Sequence, residues 1–334
     1  MADFVSIIIP NYNGATTIAR CLEAALASRY PRFEVIVVDD CSSDNSVEII
    51  NQFPCKLVRL EVHAGASRAR NTGAAQSKGD ILFFTDADCM LQEDTLALAC
   101  KALAAAGSDV VMGGTYTRIP FDNTFFSLFQ SVFIHYSETK RRTNPDYIAA
   151  HAMVISAEVF RDKSGFREDF LPILEDVEFS HRLRRSGCKL ALNPAIQVRH
   201  IFNFSLTRSL VNAFYKSMYW TIYSINNKDL LADSGTASVE LKTNVLGYFL
   251  MVLLLPVFFI THSTTALVII GFVSGINLWI SRRLLLMFYR TGGSVFFIAA
   301  ALYYLLLYPL PVGAGAVLGA IKNLMRTAKL EVNP

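Results

Sequence analysis

The chain has 334 residues, of which 52% are hydrophobic and only 18% are charged, and its mean hydropathy is positive. This composition excludes intrinsic disorder, a collagen-like fibre and a small disulfide-stabilised scaffold. The net charge is only +3, and no basic tract of the kind that binds a phosphate backbone stands out, so nucleic acid is not an expected partner. The N-terminus lacks the basic region and long apolar core of a signal peptide, so we expect the front of the protein to stay in the cytosol.

From Ser6 to Asp88, short β-branched runs alternate with helical patterns. The predicted strands are Ser6–Pro10, Glu34–Asp39, Lys56–Leu60 and Asp80–Thr85, and the predicted helices between them are Thr17–Ser28, Asn45–Phe53 and Ala66–Gln76. This alternation predicts an α/β fold with a Rossmann-like, mostly parallel sheet. Right-handed crossovers place the carboxyl ends of such strands along one edge of the sheet, where open α/β sheets bind ligands.

Polar side chains follow the first, second and fourth predicted strands, where each strand ends. Asp86 and Asp88 are separated by one residue, point to the same side and can share Mg²⁺ or Mn²⁺. The alternative is a solvated turn. One of Asp39 and Asp40 can face the crevice and accept hydrogen bonds from a base or ribose, or both can cap the following turn. The motifs of a dinucleotide enzyme and of a P-loop are absent from the sequence.

The next predicted elements are a helix at Gln92–Ala106 and a strand at Asp109–Gly113. An acidic cluster then opens a predicted helix at Glu175–Arg185. Of the later histidines, His151 is expected to be structural in a strand of small residues, and His181 to be structural on an exposed helix face.

The C-terminal third is dominated by apolar runs. Residues 204–226 have aromatic side chains at a helical period, which is typical of an interfacial amphipathic helix or of a core helix. Val245–Ser281 contains no charged residue and is broken near His262, so it predicts a pair of short membrane helices. Arg282, Arg283 and Arg290 follow and favour cytosolic flanks. The uncharged run Thr291–Ile321 is broken by Pro309 and Pro311, and it either crosses once or returns to the cytosol.

We therefore predict three parts of the chain. Residues 1–203 form a cytosolic catalytic domain, residues 204–243 an interfacial helix and linker, and residues 244–334 a membrane region.

Six motifs then follow one another in a fixed order: SIIIPNYNG, VIVVDDCSSDNS, GASRARNTG, GDILFFTDADC, GFRE and LEDVEFSHRLRRSG. In this order and spacing they closely resemble family-2 glycosyltransferases of the GT-A fold, over roughly residues 5–200. Such enzymes invert the anomeric centre of a nucleotide-diphosphate sugar that lies along the sheet edge.

The resemblance implies a role for each matched residue. Nucleotide-sugar-binding residues would be Pro10, Tyr12, Asp39, Asp40, Arg68 and Asp86, with Arg68 near the pyrophosphate. Asp88 would hold the metal, Asp86 would bind ribose or share that metal, and His200 would be a third ligand or a structural histidine. Glu175 and Asp176 match the family's catalytic pair, in which the second carboxylate is the base.

A sugar hydroxyl is a poor nucleophile and needs a carboxylate to accept its proton, which fits this assignment of Asp176. We expect the helix dipole to keep Asp176 ionised. The alternative is that Glu175, Asp176 and Glu178 only complement a helix N-terminus.

We therefore expect a metal-dependent, hexosyltransferase-like enzyme that builds cell envelope glycan. It would be an integral membrane protein, with the bacterial inner membrane as the expected location. It would transfer one sugar, with a UDP-sugar favoured as donor, to a hydroxyl of a lipid or lipid-linked glycan. The Gln-x-x-Arg-Trp motif of processive members is absent. The alternatives are a polyprenyl-phosphate glycosyltransferase, which needs no base, and a non-catalytic membrane scaffold with a degenerate nucleotide-binding fold.

Overall fold

The computed structural model describes residues 3–107 and 109–332, with the side chains of 326–332 outside the description. The ends of the first and last predicted domains, at residues 1–2 and 333–334, therefore lie outside it. The described residues divide into two compact units. The first unit contains the residues up to Asn123 together with Ser137–Asn203, and the second contains Thr124–Tyr136 together with the residues from Phe204 onward.

The described strands all belong to the first unit. They are β1 (Val5–Asn11), β2 (Phe33–Asp39), β3 (Lys56–Arg59), β4 (Ile81–Phe84), β5 (Cys89–Leu91), β6 (Val110–Tyr116), β7 (Met153–Ser156) and β8 (Lys189–His200). They form one sheet in the order β3-β2-β1-β4-β7-β6-β8-β5. The four strands predicted between Ser6 and Asp88 are present within a residue or so of their predicted bounds.

The sheet is mixed. Strand β1 pairs in parallel with β2 and β4, and β2 pairs in parallel with β3, as the βαβ pattern predicts. Strand β7 is antiparallel to both β4 and β6, and β5 is antiparallel to β8. Strands β5 and β7 have only three and four residues, which is too short to show a hydrophobic period, so sequence analysis did not identify them.

Helices connect and follow the strands. They are α1 (Ile18–Leu26), α2 (Ser46–Ile50), α3 (Ala66–Ala75), α4 (Thr95–Ala106), α5 (Phe125–Thr139), α6 (Ala157–Asp162), α7 (Glu175–Arg185), α8 (Leu206–Asn227), α9 (Val239–Thr261), α10 (Thr264–Leu302) and α11 (Pro309–Val332). A 3₁₀ turn lies at Ala150–Ala152 and a π-helical turn at Tyr303–Leu307. Helix α7 has its predicted bounds.

An aromatic cluster in the core of the first unit seats α7. Phe179 of α7 is fully buried, and its ring centroid lies 4.9 Å from that of Phe166 and 5.4 Å from that of Phe160. The ring of Phe84 in β4 contacts both, with its centroid 5.0 Å from that of Phe160 and 5.2 Å from that of Phe166. Burying each ring stabilises the fold by about 1.5–3 kcal/mol, and each aromatic pair adds about 0.5–1.5 kcal/mol. The first turn of α7, with Glu175 and Asp176, is held in place by this packing.

The second unit contains the long apolar helices. Helix α9 and the stretch Thr264–Met325 are each long and apolar enough, by length and composition, to cross a membrane. The break predicted near His262 is present, since His262 has a φ of 51° and the side chain of Ser263 caps α10. Helix α10 continues past the predicted end at Ser281, and its helical geometry is interrupted at Gly293, where φ is 72°.

Two kinds of contact hold these helices together. Buried amides link α9, α10 and the π-helical turn, because Asn277 Nδ2 donates to Asn244 Oδ1 (2.8 Å) and Asn244 Nδ2 donates to the carbonyl of Tyr304 (2.6 Å). Helix α11 approaches α8 closely through glycine. A Cβ atom at Gly315 would lie 2.2 Å from the carbonyl oxygen of Phe214. Only the absence of a side chain permits this approach.

We predict that Gly315→Ala destabilises the protein, because its methyl group would overlap backbone that cannot move independently. Overpacking of this kind costs about 1–3 kcal/mol. Gly271→Ala in α10 is the matched control, since a Cβ there would meet nothing within 4 Å. The measurement is the melting temperature of the purified full-length chain. A fall for Gly315→Ala with an unchanged or slightly raised value for Gly271→Ala is expected, and equal effects would contradict the close approach.

Candidate active site

The tips of β1 and β2 are joined by a buried carboxylate. Asp39 is fully buried, and its Oδ1 accepts hydrogen bonds from Asn11 Nδ2 (2.8 Å) and Ser42 Oγ (2.5 Å). Its Oδ2 accepts from the backbone N–H of Ser42 (3.1 Å). Asp39 therefore fixes the loop that follows β2. This is the alternative in which the carboxylate caps the turn after the strand rather than facing the crevice. Pro10 precedes Asn11 in β1 at the same edge of the sheet.

Asp40 connects the tip of β2 to the start of α3. Its two carboxylate oxygens accept from the backbone N–H groups of Ala64 and Gly65, each at 2.7 Å, and Oδ2 lies 2.9 Å from His63 Nδ1. The His63 ring stacks on Tyr12, with 4.0 Å between centroids. Tyr12 is 50% exposed. The two rings form an accessible aromatic surface beside the predicted nucleoside contacts, and sequence analysis did not identify His63.

Helix α3 delivers two arginines with different environments. Arg68 is 55% exposed in its side chain and pairs with Glu168 at 2.8 Å. Arg70 is only 4% exposed. Its Nη1 lies 2.5 Å from Glu175 Oε1 and its Nη2 lies 2.6 Å from Asp86 Oδ1. The structure thus joins the first carboxylate of the Asp-x-Asp motif to the predicted catalytic pair through one buried guanidinium.

Sequence analysis did not identify Arg70, although a signal for it exists. The buried face of α3 consists of Ala69, Arg70, Gly73 and Ala74, which recur at a helical period. Small residues at these spacings form the face of α3 that packs against the sheet, and Arg70 lies among them on the same face of the helix. Arg68 lies off this face, which explains its exposure.

The Arg70 ion pairs decide the charge of Asp86. Burial is the largest single effect and opposes ionisation of this carboxyl group. The charge and hydrogen bond of Arg70, together with His151 and His200, outweigh burial and hold the pKa of Asp86 below its usual value. Asp86 therefore stays ionised and bound to Arg70. That Asp86 also binds the ribose of the donor or shares a metal ion with Asp88 remains a prediction.

Asp88 and His200 form a candidate metal site. Register in the antiparallel pair of β5 and β8 places Cys89 opposite His200, and Asp88 Oδ2 lies 3.3 Å from His200 Nε2. Donor atoms of Asp88, Cys89 and His200 lie within 4.8 Å of one another. Burial raises the pKa of the Cys89 thiol well above its usual value, so it is a neutral group at physiological pH. The carboxylate suits Mn²⁺ or Mg²⁺, whose remaining positions are commonly filled by water and phosphate oxygens, and the imidazole favours the transition ion Mn²⁺ over Mg²⁺.

Asp176 has the properties of a base. Its Oδ2 accepts from the backbone N–H of Ala150 (3.1 Å). Burial, followed by the negative charge of Glu175, raises the pKa of Asp176 to about 6, against the opposing effects of Arg70 and His151. Desolvation therefore opposes the expected effect of the helix dipole, but it does not remove the charge of Asp176 at neutral pH. A carboxyl group with this pKa is largely ionised at neutral pH and can still accept a proton readily.

The two remaining histidines differ from their predicted settings. His151 lies in the 3₁₀ turn rather than in a strand, and its ring stacks on Tyr116 with 3.9 Å between centroids. Burial favours its neutral form, but the carboxylates of Glu138, whose Oε2 lies 3.5 Å from Nε2, and of Asp86 and Asp176 together outweigh burial and raise the pKa of His151. The prediction that His181 lies on an exposed face is wrong. It is buried against the sheet side of α7 and lies 3.1 Å from Asp146.

Comparisons with known proteins give a consistent result. The profile of the family "Glycosyl transferase family 2" matches residues 6–164. Glycosyltransferase AglE of Haloferax volcanii is 38% identical over 135 residues, which cover 38% of this chain and 44% of AglE. Glycosyltransferase GlyG of Streptococcus pneumoniae is 30% identical over 131 residues, which cover 38% of this chain and 44% of GlyG. The match therefore spans less than half the length of either curated relative.

One solved structure is similar over most of the chain. Mannosyltransferase PcManGT from Pyrobaculum calidifontis, in complex with GDP-Man and Mn²⁺, has a TM-score of 0.58 and 18% identity. The likeness covers 97% of this chain and 88% of PcManGT. At this identity the likeness concerns the fold, and it confirms the predicted GT-A architecture followed by long apolar helices.

We predict that Arg70→Met destabilises the protein by about 3 kcal/mol, the lower end of the range for a buried pair, because two partly buried carboxylates lose their shared counter-charge. The deficit should shrink as the pH is lowered, since protonation removes the uncompensated charges. Arg68→Met is the control, two residues earlier on the same helix, and its exposed ion pair is worth only about 0–1 kcal/mol. Thermal unfolding of both variants across pH measures the difference. Equal destabilisation, or a deficit that does not change with pH, would contradict the electrostatic role of Arg70.

Proposed function

We propose that the chain, whose residues 6–164 match the profile of glycosyl transferase family 2, is a membrane-anchored, inverting glycosyltransferase. It transfers one sugar from a nucleotide-diphosphate sugar to a hydroxyl of a lipid or lipid-linked glycan. The observation that carries this proposal is the pair of carboxyl groups at the start of α7. Arg70 binds Glu175, while the neighbouring Asp176 has a pKa of about 6.

The division of labour between these two carboxylates follows from their contacts. Glu175 has its carboxylate committed to a buried guanidinium, so it is poorly placed to accept a further proton. Asp176 Oδ2 accepts one backbone hydrogen bond, and burial raises the pKa of Asp176 to about 6. We assign Asp176 as the general base. It takes the proton of the acceptor hydroxyl as the acceptor oxygen bonds to the anomeric carbon and the bond to the nucleoside diphosphate breaks. Attack from the face opposite the leaving diphosphate inverts the anomeric centre.

Asp88 and His200 would hold Mg²⁺ or Mn²⁺ through a carboxylate oxygen and an imidazole nitrogen. Such an ion, when bound, neutralises the charge that develops on the departing diphosphate. The accessible rings of Tyr12 and His63 offer a flat surface on which a nucleobase can stack. Arg68 on the exposed side of α3 supplies a positive charge for the pyrophosphate. We propose a UDP-sugar as donor.

The exposure of α9 supports the membrane part of the proposal. Only 11% of its most apolar stretch is buried, whereas the core helix of a soluble protein would be mostly buried. Large side chains such as Leu253 (70% exposed) and Ile260 (79% exposed) are accessible, which is costly in water and favourable in lipid. The guanidinium of Arg282 lies 3.9 Å from the centre of the Trp279 ring, a combination that suits a membrane interface. We place the catalytic unit in the cytosol, at the bacterial inner membrane.

The direct test of the proposed activity is a screen of UDP-, GDP- and dTDP-sugars with Mn²⁺ and a lipid-linked glycan acceptor. Nucleotide release should occur with one donor class. The anomeric configuration of the product, measured by NMR, should be opposite to that of the donor. Retention of configuration would contradict the proposed displacement, and the absence of release with every donor class would contradict the enzyme itself.

We predict that Asp176→Asn lowers turnover by about 10²–10⁴, the usual contribution of a general base, while donor affinity hardly changes. Glu178→Gln is the matched control from the same helical turn, because Glu178 only pairs with Arg182. In the parent protein kcat/KM should fall tenfold per pH unit below about pH 6, since protonated Asp176 cannot accept a proton. This acid limb should disappear in Asp176→Asn. Near-normal turnover of that variant would instead favour a phosphate acceptor, which needs no base.

We predict that Asp88→Asn and His200→Gln each abolish most of the Mn²⁺ dependence of donor binding, measured by titrating UDP with and without Mn²⁺. Cys89→Ala is the matched control within the same cluster. Its neutral thiol should contribute little, so the Mn²⁺ dependence should persist. Loss of the dependence in Cys89→Ala, or its retention in Asp88→Asn, would contradict the proposed ligand pair.

A further inference from the structure

A cavity of about 290 Å³ lies within the second unit. Its walls come from α5, α8, the connection between α8 and α9, the start of α9, and α11. The walls are mainly apolar, with Trp220 on one helix and Val245 and Val312 on others. Leu231, at 85% exposure, also belongs to the lining, so the cavity is open on the side of the α8–α9 connection.

The charges in this lining have one sign. Lys216 of α8 and Lys242 of α9 both line the cavity, and among the described residues that line it there is no carboxylate. Lys242 Nζ donates a hydrogen bond to the carbonyl of Ala232, which fixes the ammonium group at the α8–α9 connection. An apolar cavity with two ammonium groups suits an amphiphile whose polar end is an anion.

The position of Lys242 along α9 indicates what kind of amphiphile this is. Ser238 caps α9, so Lys242 lies in the first helical turn, and the apolar residues of the candidate membrane span follow it. The end of a membrane span lies at the level of lipid phosphates, and lysines there extend toward that level. Val245 and Leu246 continue the lining one turn further into the apolar part of α9. The lining thus changes from cationic to apolar in the direction in which a lipid changes from phosphate to hydrocarbon.

The size of the cavity limits the number of chains. Ligand pockets are commonly about 300–1,000 Å³, so this cavity is at the lower end of that range. Such a space accommodates the first part of one hydrocarbon chain rather than the paired chains of a phospholipid.

We propose that this cavity binds a lipid that has a phosphate group at the head of a single hydrocarbon chain, with the phosphate at Lys216 and Lys242. The inference rests on the proposed function, because it identifies the acceptor as one linked to its lipid through phosphate. The chain occupies the space between Trp220, Val245 and Val312. The hydroxyl that receives the sugar belongs to the glycan, so Asp176 keeps its role.

The cavity offers its own spectroscopic probe. The chain has two tryptophans, Trp220 in the cavity and Trp279 on α10, so Trp279→Phe leaves Trp220 as the single reporter. The full-length Trp279→Phe protein in detergent is titrated with farnesyl phosphate and with farnesol while tryptophan fluorescence is recorded. A saturable change is expected with farnesyl phosphate, and farnesol should bind more weakly.

Variants in this background separate charge from space. Lys216→Gln and Lys242→Gln keep an N–H donor but remove the positive charge, and each should weaken farnesyl phosphate binding about fivefold, with roughly 25-fold for the double variant. Lys322→Gln on the exposed surface of α11 is the matched control and should leave binding unchanged. Ala316→Leu should weaken farnesyl phosphate and farnesol alike, because it narrows the cavity.

Three results would overturn the inference: equal affinity for farnesol and farnesyl phosphate, no effect of the two lysine substitutions, or displacement by dioleoyl phosphatidylglycerol at the same concentration as by farnesyl phosphate. The last would make the cavity a general phospholipid site. The proposed function is tested separately, because Asp176→Asn should bind farnesyl phosphate normally. If farnesyl phosphate binds with the expected dependence on the two lysines but no sugar is transferred, the proposed function is wrong and this inference stands. If sugar is transferred but farnesyl phosphate binding does not depend on the lysines, this inference is wrong and the proposed function stands.

Discussion

The buried guanidinium of Arg70 is the interaction around which the candidate active site is arranged. It lies on the inner face of α3 and holds Asp86 at the tip of β4 and Glu175 at the start of α7. A buried ion pair of this kind contributes little net stability, because desolvation offsets much of the Coulomb attraction, but removing one partner is costly. Its effect is therefore positional. Helix α7 must meet the consecutive elements α3 and β4 to keep the arginine satisfied, although Glu175 lies 105 residues beyond Arg70.

This arrangement also distributes the chemical roles. Two of the four acidic groups near the site neutralise Arg70, which leaves Asp88 and Asp176 to act on other groups. Their separation follows from their surroundings rather than from their sequence. Asp88 faces an imidazole across the β5–β8 ladder, whereas Asp176 accepts a backbone hydrogen bond and is desolvated beside another carboxylate. In the proposed function, one residue type thus serves as a metal ligand and as a base within one unit.

Sequence analysis predicted the parts of the first unit that have a clear period or a known motif. Continuous apolar strands and the bounds of α7 were correct, because burial on both faces and an acidic helix start leave strong patterns. It did not find β5 and β7, which are too short for a pattern, or the inward direction of Arg70. It expected Asp176 to be ionised, which a pKa of about 6 allows at neutral pH, but it did not indicate the raised pKa, because burial of a carboxylate cannot be read from neighbouring residues alone.

In the second unit, hydropathy located the apolar helices and the breaks at His262 and Pro309. It did not indicate how the helices join, since Asn244 and Asn277 count only as minor interruptions in an apolar window. In the structure these amides form a hydrogen-bonded link between helices, and such links matter most where water is scarce.

The pairing of β5 with β8 has a consequence for the order of assembly. Asp88 lies near the middle of the chain segment that forms the sheet, whereas His200 is at the end of its last strand. A nascent chain that has not yet reached β8 has only half of the donor pair, so it cannot capture a cation at this position. A divalent ion held by both groups would bind the completed sheet and not its precursors. By thermodynamic linkage, its concentration in the cell would then set how firmly the short edge strand β5 is held against β8, and a chelator would loosen that edge of the sheet first.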